Sequence, residues 1–241
     1  MPNHIDSYVT MVYREIEPIV QKRIQEAGPK SFSEPWNAPP VPKIEEFLFV
    51  LISGHSEITD RLDRLQDLEL SLGRYPYNNT RITRFKHLQS QVESFLEQVY
   101  IIQCRILGYL EYIERGYHGH EGYPKFHKIL NGLRTETNKA FKPIVRLRGS
   151  HIHHYTYQDK ELHSVSLVET AYSLTHDPSE KKRFKHILEL IYKDVRDKKK
   201  KWVVQNNKGI KRFLNLYFQQ LKKIVLDDKK KLRWPKGKKA G

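Results

Sequence analysis

The sequence predicts an all-α protein, a helical bundle, on two observations. Apolar side chains recur at spacings of three and four through most of the chain, the period of a helix with one buried face. No stretch between turn signals alternates apolar and polar residues as a half-buried strand would. There is also no internal repeat and no glycine-rich phosphate loop.

The elements follow in order. Residues 5–26 place Ile5, Tyr8, Val12, Ile16, Val20 and Ile24 on a helical stripe, which Pro18 kinks or divides and Gly28-Pro29 ends. Residues 31–43, with Pro35, Pro39, Pro40 and Pro42, read as an extended linker laid over the core through Phe32 and Trp36. Residues 43–72 form a long helix weakened in the middle by Gly54, and a turn follows at 73–79. Thr80 is placed to cap a helix over 80–115, whose stretch from Val99 to Ile113 is apolar on almost every face and so reads as central. Three glycines and two histidines at 116–122 end it. Pro124 opens a helix to about 147 that Pro143 bends near its end. Gly149-Ser150 reads as a break. Further helices fit 159–175, 180–204 and 209–227, separated by Asp177-Pro178 and by the residues from Asn206 to Gly209. The expected organisation is therefore an N-terminal helix and linker (1–42), a helical domain (43–227) and a basic disordered tail (228–241).

Composition narrows the function. Hydrophobic residues make up 38% and charged residues 29%, and no apolar run approaches the ~18–20 residues of a spanning helix. Residues 1–10 lack the apolar core of a signal peptide, so a cytoplasmic protein away from the membrane is expected. Cys104, the single cysteine, cannot form an intrachain disulfide and reads as a small buried hydrophobe. The net charge of +15 is segregated: residues 1–180 hold 21 Lys/Arg against 23 Asp/Glu, residues 181–241 hold 22 against 5. Such a segment attracts polyanions by counterion release, and RNA is the expected partner. Lys198, Lys199, Lys200 and Lys201 before Trp202, and Lys211-Arg212 before Phe213, interleave cations with rings and are candidate nucleic-acid contacts. The rings of the second group, with Leu214, Tyr217, Phe218 and Leu221, read as core.

The densest chemistry lies at Arg146-Leu147-Arg148-Gly149-Ser150-His151-Ile152-His153-His154. Histidine exchanges protons near neutral pH, and arginine offers phosphate a permanently charged fork. Together they could cleave RNA without metal or cofactor, histidine moving protons at the 2′-hydroxyl or leaving oxygen and arginine holding the phosphate. On one unbroken helix Arg148 and His153 would stand about 140° apart around the axis. A break at Gly149 would let them converge. An ion-paired structural role for the arginines stays open, as does a zinc site of His151 and His153 with His163 or Asp159. His118 and His120 read as surface residues of a glycine-rich loop.

The Arg148-x4-His153 arrangement, after a long helical pair and before another helix, resembles the HEPN superfamily, over about residues 43–175 or on to 226; the pairs Arg148–His154, Arg146–His151 and Arg146–His153 also fit the family spacing. The resemblance implies a bundle of four to five helices. It also implies a metal-independent ribonuclease in a defence or toxin-like setting, usually dimeric so that two motifs meet. Arg148 would bind phosphate, His153 would be the general acid or base, and His154 and Arg146 would assist. Gly149 stands where active members usually carry a polar residue. This favours the alternative of a non-catalytic HEPN-like module that binds RNA or a partner protein.

Overall fold

The structure is a computed structural model describing residues 3–27, 43–75, 82–153 and 159–235. Among these are six α-helices and no strand: α1 (His4–Ala27), α2 (Lys43–Ser71), α3 (Arg84–Tyr117), α4 (Tyr123–His153), α5 (Lys160–Leu174) and α6 (Pro178–Val225). None is long and apolar enough to cross a membrane. Residues 31–42 of the linker, the turn residues Pro76 to Asn79, and Thr80 lie outside the described residues.

Several expected breaks are absent. Pro18 sits inside α1 without dividing it; its ring is exposed, so the carbonyl that loses its helical partner can bond water. Pro143, also exposed, lies within α4, which runs on to His153 straight through Gly149. The pair of helices expected at 180–204 and 209–227 is one helix, α6. Its asparagines find partners that do not require the backbone to turn. Asn206 Nδ2 donates to Trp202 O at 2.8 Å, and buried Asn207 donates to Leu65 O on α2 at 3.0 Å. Val203 and Ile210 keep the buried stripe continuous across them.

The chain divides into two compact units whose boundaries fall inside helices. One comprises Met1–Thr59, Gln103–Ala140 and Lys211–Gly241. Here α1 is part of the core: Tyr8, Val12 and Ile16 are fully buried, and Tyr8 lies against Phe218 at 5.1 Å between ring centres. Tyr8 and Tyr109 share a 2.7 Å hydroxyl contact, and Tyr109 donates onward to Leu51 O at 2.7 Å. The hydroxyls are thus paired rather than stranded, and burial raises the pKa of both tyrosines. Gly54 is what lets the Tyr109 ring lie this close to α2. Leu214, Tyr217, Phe218 and Leu221 are buried here, as their spacing predicts.

The same unit holds the residues after α6. Where a disordered tail was expected from 228, the chain through 235 folds into a turn. Leu226 and Leu232 are buried and form an isolated antiparallel bridge. Residues 236–241 lie outside the described residues.

The second unit comprises Asp60–Ile102 and Phe141–Ile210. Its core is aliphatic, from Leu65, Leu88, Val99, Val165 and Leu188, with Phe95 edge-on to Trp202 at 4.9 Å. Helix ends are capped from afar as well as locally. Asp159 accepts from Glu161 N and Leu162 N at the start of α5. Thr83 caps α3 through Lys86 N at 3.2 Å, and Glu169 of α5 accepts from Arg84 N at 2.9 Å and Phe85 N at 3.2 Å.

Candidate functional site

The continuous course of α4 sets the geometry of the Arg/His cluster. With no break at Gly149, positions 148 and 153 of the helical backbone stand about 140° apart around one axis. Glu97 and Tyr100 lie three residues apart on α3, hence on one face, and both meet Arg148. Arg148 Nε donates to Glu97 Oε2 at 2.7 Å, and its guanidinium carbon lies 4.0 Å from the centre of the Tyr100 ring. The side chains of Arg148 and Glu97 are 24% and 44% exposed, so the pair sits at the surface, accessible but engaged. Arg146 is exposed. The side chains of His151 and His153, and the whole of His154, lie outside the described residues.

The candidate lysines separate by role. Lys199 Nζ reaches Asp159 at 2.5 Å and Glu161 at 2.7 Å, with side-chain exposures of only 13% for the lysine and 8% for Asp159. Burial by itself would lower its pKa, but the hydrogen bonds and charges of the two carboxylates outweigh it and raise it. Lys199 therefore ties α6 to the N-cap of α5. Lys198 pairs with Asp194 at 2.9 Å. Lys200, Lys201, Lys211 and Arg212 are exposed. Asp159, one of the residues weighed as a zinc ligand, has its carboxylate occupied by the helix cap and Lys199.

A second polar cluster was not anticipated. Glu114 on α3 gathers His127, Tyr123 and Arg134 from α4, across the turn that joins the two helices. Its Oε1 is 2.5 Å from His127 Nδ1 and 3.3 Å from the Tyr123 hydroxyl, and Oε2 accepts from Arg134. Arg134 also donates to Asn131 Oδ1 at 2.9 Å, which leaves Asn131 Nδ2 to donate to His127 Nε2 at 2.8 Å. His127 must then carry its hydrogen on Nδ1, toward Glu114. The Arg134 bond above all, with those of His127 and Tyr123, holds the Glu114 carboxyl below its usual pKa. An open surface depression of Glu111, Glu114, Arg115, His118 and Tyr123 adjoins the cluster. The signal in the sequence was the run His127, Asn131, Arg134 at helical spacing, facing a carboxylate just before a glycine-rich turn.

That turn is ordered. His118 is exposed and its ring lies 5.0 Å from that of Tyr123. His120 accepts from Gly122 N at 3.0 Å through Nδ1 and packs on Phe126 at 5.3 Å. Cys104 is exposed rather than buried, and so are Arg105, Gly108 and Glu111, so α3 is not apolar all round here. Among the described residues no group of three or more His, Cys, Asp or Glu is placed to hold a metal ion.

No family model matches the chain, and neither a curated protein nor a solved structure matches it.

Proposed function

We propose that this chain is a cytoplasmic, HEPN-like helical module that binds RNA without cleaving it. The observation that carries this reading is the exposure of the C-terminal cations. On α6, Lys181, Lys182, Arg183, Lys185, Lys193, Lys200, Lys201 and Lys208 all face solvent, while Leu188, Tyr192, Val195 and Val203 are buried. The helix thus turns its apolar stripe inward and its lysines outward, away from a set of carboxylates too small to neutralise them. The engagement of Arg148 with Glu97 and Tyr100 supports binding over cleavage, because a guanidinium already paired competes poorly for a scissile phosphate.

The test is anisotropy of labelled RNA with the purified protein across a salt series. Binding should weaken steeply with salt, by roughly 0.7–0.9 in logarithmic slope for each phosphate contacted. Replacing Lys182, Lys193, Lys200 and Lys201 with Gln should weaken binding and flatten that slope, and the RNA should stay intact. Salt-independent binding, or none at low salt, would overturn the reading.

One observation favours a second reading, a metal-independent endoribonuclease. Arg148 is held rigidly at an accessible position by its neighbours, as a phosphate-gripping group needs to be. Because one continuous α4 separates Arg148 from His153, this reading requires the histidine of a second copy, hence a homodimer. EDTA-resistant cleavage that disappears in both Arg148→Ala and His153→Ala would select it over the first.

A further inference from the structure

The turn that follows α6 has a construction that its sequence, Asp227-Asp228-Lys229-Lys230-Lys231-Leu232-Arg233-Trp234, does not suggest. Asp227 is its keystone: Oδ1 accepts from Lys229 N at 2.9 Å and Lys231 N at 2.8 Å, and its backbone N donates to Lys231 O at 2.8 Å. Lys230 closes the turn with a φ of 61°, in the left-handed region that residues other than glycine rarely adopt. Arg233 is spent on structure. Its Nε and Nη2 donate to Ile224 O and Leu226 O, each at 3.1 Å, capping the carbonyl end of α6. Tyr117 fastens the segment from below by donating to Arg233 O at 2.6 Å.

A segment braced this thoroughly fixes the backbone from which its remaining groups project. Those groups are the exposed Lys229, Lys230 and Lys231 and the indole of Trp234, which is 39% exposed. Lys222 joins them from the last turn of α6, where its ammonium donates to Ser7 Oγ. Burial lowers its pKa, and the charge of Lys230 lowers it further. Asp227 and the exposed Asp228 carry the opposing charge. Lysines concentrated on one short segment gain stability from an anion beside them. An exposed indole on a rigid support gains from a flat partner.

We propose that this turn is a binding platform for single-stranded RNA, in which Trp234 stacks on an unpaired base and Lys222 and Lys230 hold a neighbouring phosphate. This deepens the RNA-binding reading above and rests on it. A single strand is favoured over a duplex because base faces are available for stacking only where bases are unpaired. A nucleic acid is favoured over an anionic membrane because, among the described residues of this turn, Trp234 is the one large apolar side chain that is exposed, Leu226 and Leu232 being buried.

The test uses the full chain with oligouridine and with an RNA duplex of equal length. Trp234→Ala should weaken oligouridine binding roughly tenfold, within the range of a lost base–aromatic stack, and leave duplex binding within about twofold. Trp234→Phe should restore most of the loss, and the unchanged duplex binding of Trp234→Ala excludes a folding defect as its cause. Lys222→Gln with Lys230→Gln should weaken oligouridine binding and reduce its salt slope by about 1–2. If the wild type binds both RNAs and Trp234→Ala changes neither, this platform is refuted and the broader reading stands. If the wild type binds neither RNA, both fall. Tight binding to phosphatidylserine vesicles that is lost in Trp234→Ala, with oligouridine binding unchanged, would overturn the platform in favour of a membrane contact.

Discussion

Gly54 and Gly149 are both helical glycines, and a methyl group added to each meets opposite surroundings. At Gly54 a Cβ would collide with the Tyr109 ring, whose hydroxyl is already committed to Tyr8 and Leu51 O, so the ring cannot swing away cheaply. Gly54→Ala should therefore destabilise the protein by about 1–3 kcal/mol, the usual cost of overpacking a close-packed interior. At Gly149 a Cβ would touch nothing. Gly149→Ala should raise stability by up to about 1 kcal/mol, because alanine loses less backbone entropy in a helix. Urea melts of the two variants check both signs. Destabilisation by Gly149→Ala would mean that α4 does break there in solution, and would revive convergence of Arg148 with His153 in one chain. From the sequence Gly54 reads as a weak point within a helix and Gly149 as a break, and neither reading shows what surrounds them. What separates them is a tyrosine 55 residues away from Gly54, which local periodicity does not reveal.

At the scale of elements, α3 shows how a helix start can depend on another helix. Its first turn exposes amide groups that Thr83 satisfies only in part, and the Glu169 carboxylate of α5 takes those of Arg84 and Phe85. A negative group at this end also meets the positive end of the helix dipole. Glu169→Ala should cost about 1–2 kcal/mol, readable as a lower urea midpoint and as faster amide exchange at Arg84 and Phe85. Unchanged exchange there would show that Thr83 suffices. The apolar stripes were legible in the sequence: Tyr8, Val12 and Ile16 on α1, Phe95 and Val99 on α3, and Leu214 and Phe218 on α6 are buried as their spacing demands. The ends of elements were less so. Asn206-Asn207 reads as a break because asparagine competes for local backbone bonds, yet here Asn206 bonds a carbonyl one turn back without turning the chain, Asn207 bonds α2, and α6 continues. The Glu114 cluster was missed for the same reason. Its members are 9, 13 and 20 residues from Glu114, and only the α3–α4 hairpin brings them together.

For the molecule as a whole, each compact unit buries a histidine whose protonation is opposed by its surroundings. His55, in the unit containing α1, is held below its usual pKa chiefly by burial, against the opposing pull of Ile5 O. His87, in the other unit, is lowered by burial and by Arg196, and lies 3.1 Å from the Tyr192 hydroxyl. In the unfolded chain both return to the ordinary value of 6.5. Below that pH the unfolded state binds more protons than the folded state, so stability is full above 6.5 and is lost as pH falls toward the depressed folded values. Urea melts at pH 7.5 and 5.5 should therefore show a lower midpoint at the acid end. A chain already at +15 also gains positive charge in acid, and self-repulsion can mimic this trend. Salt separates the two causes, since about 1 M electrolyte shortens the Debye length to roughly 3 Å and screens exposed charges while leaving the buried rings unaffected. The acid loss should persist in high salt, and amide exchange should accelerate around both His55 and His87. A loss that vanishes in high salt would assign the acid sensitivity to the surface and leave the two buried histidines as pH-neutral packing.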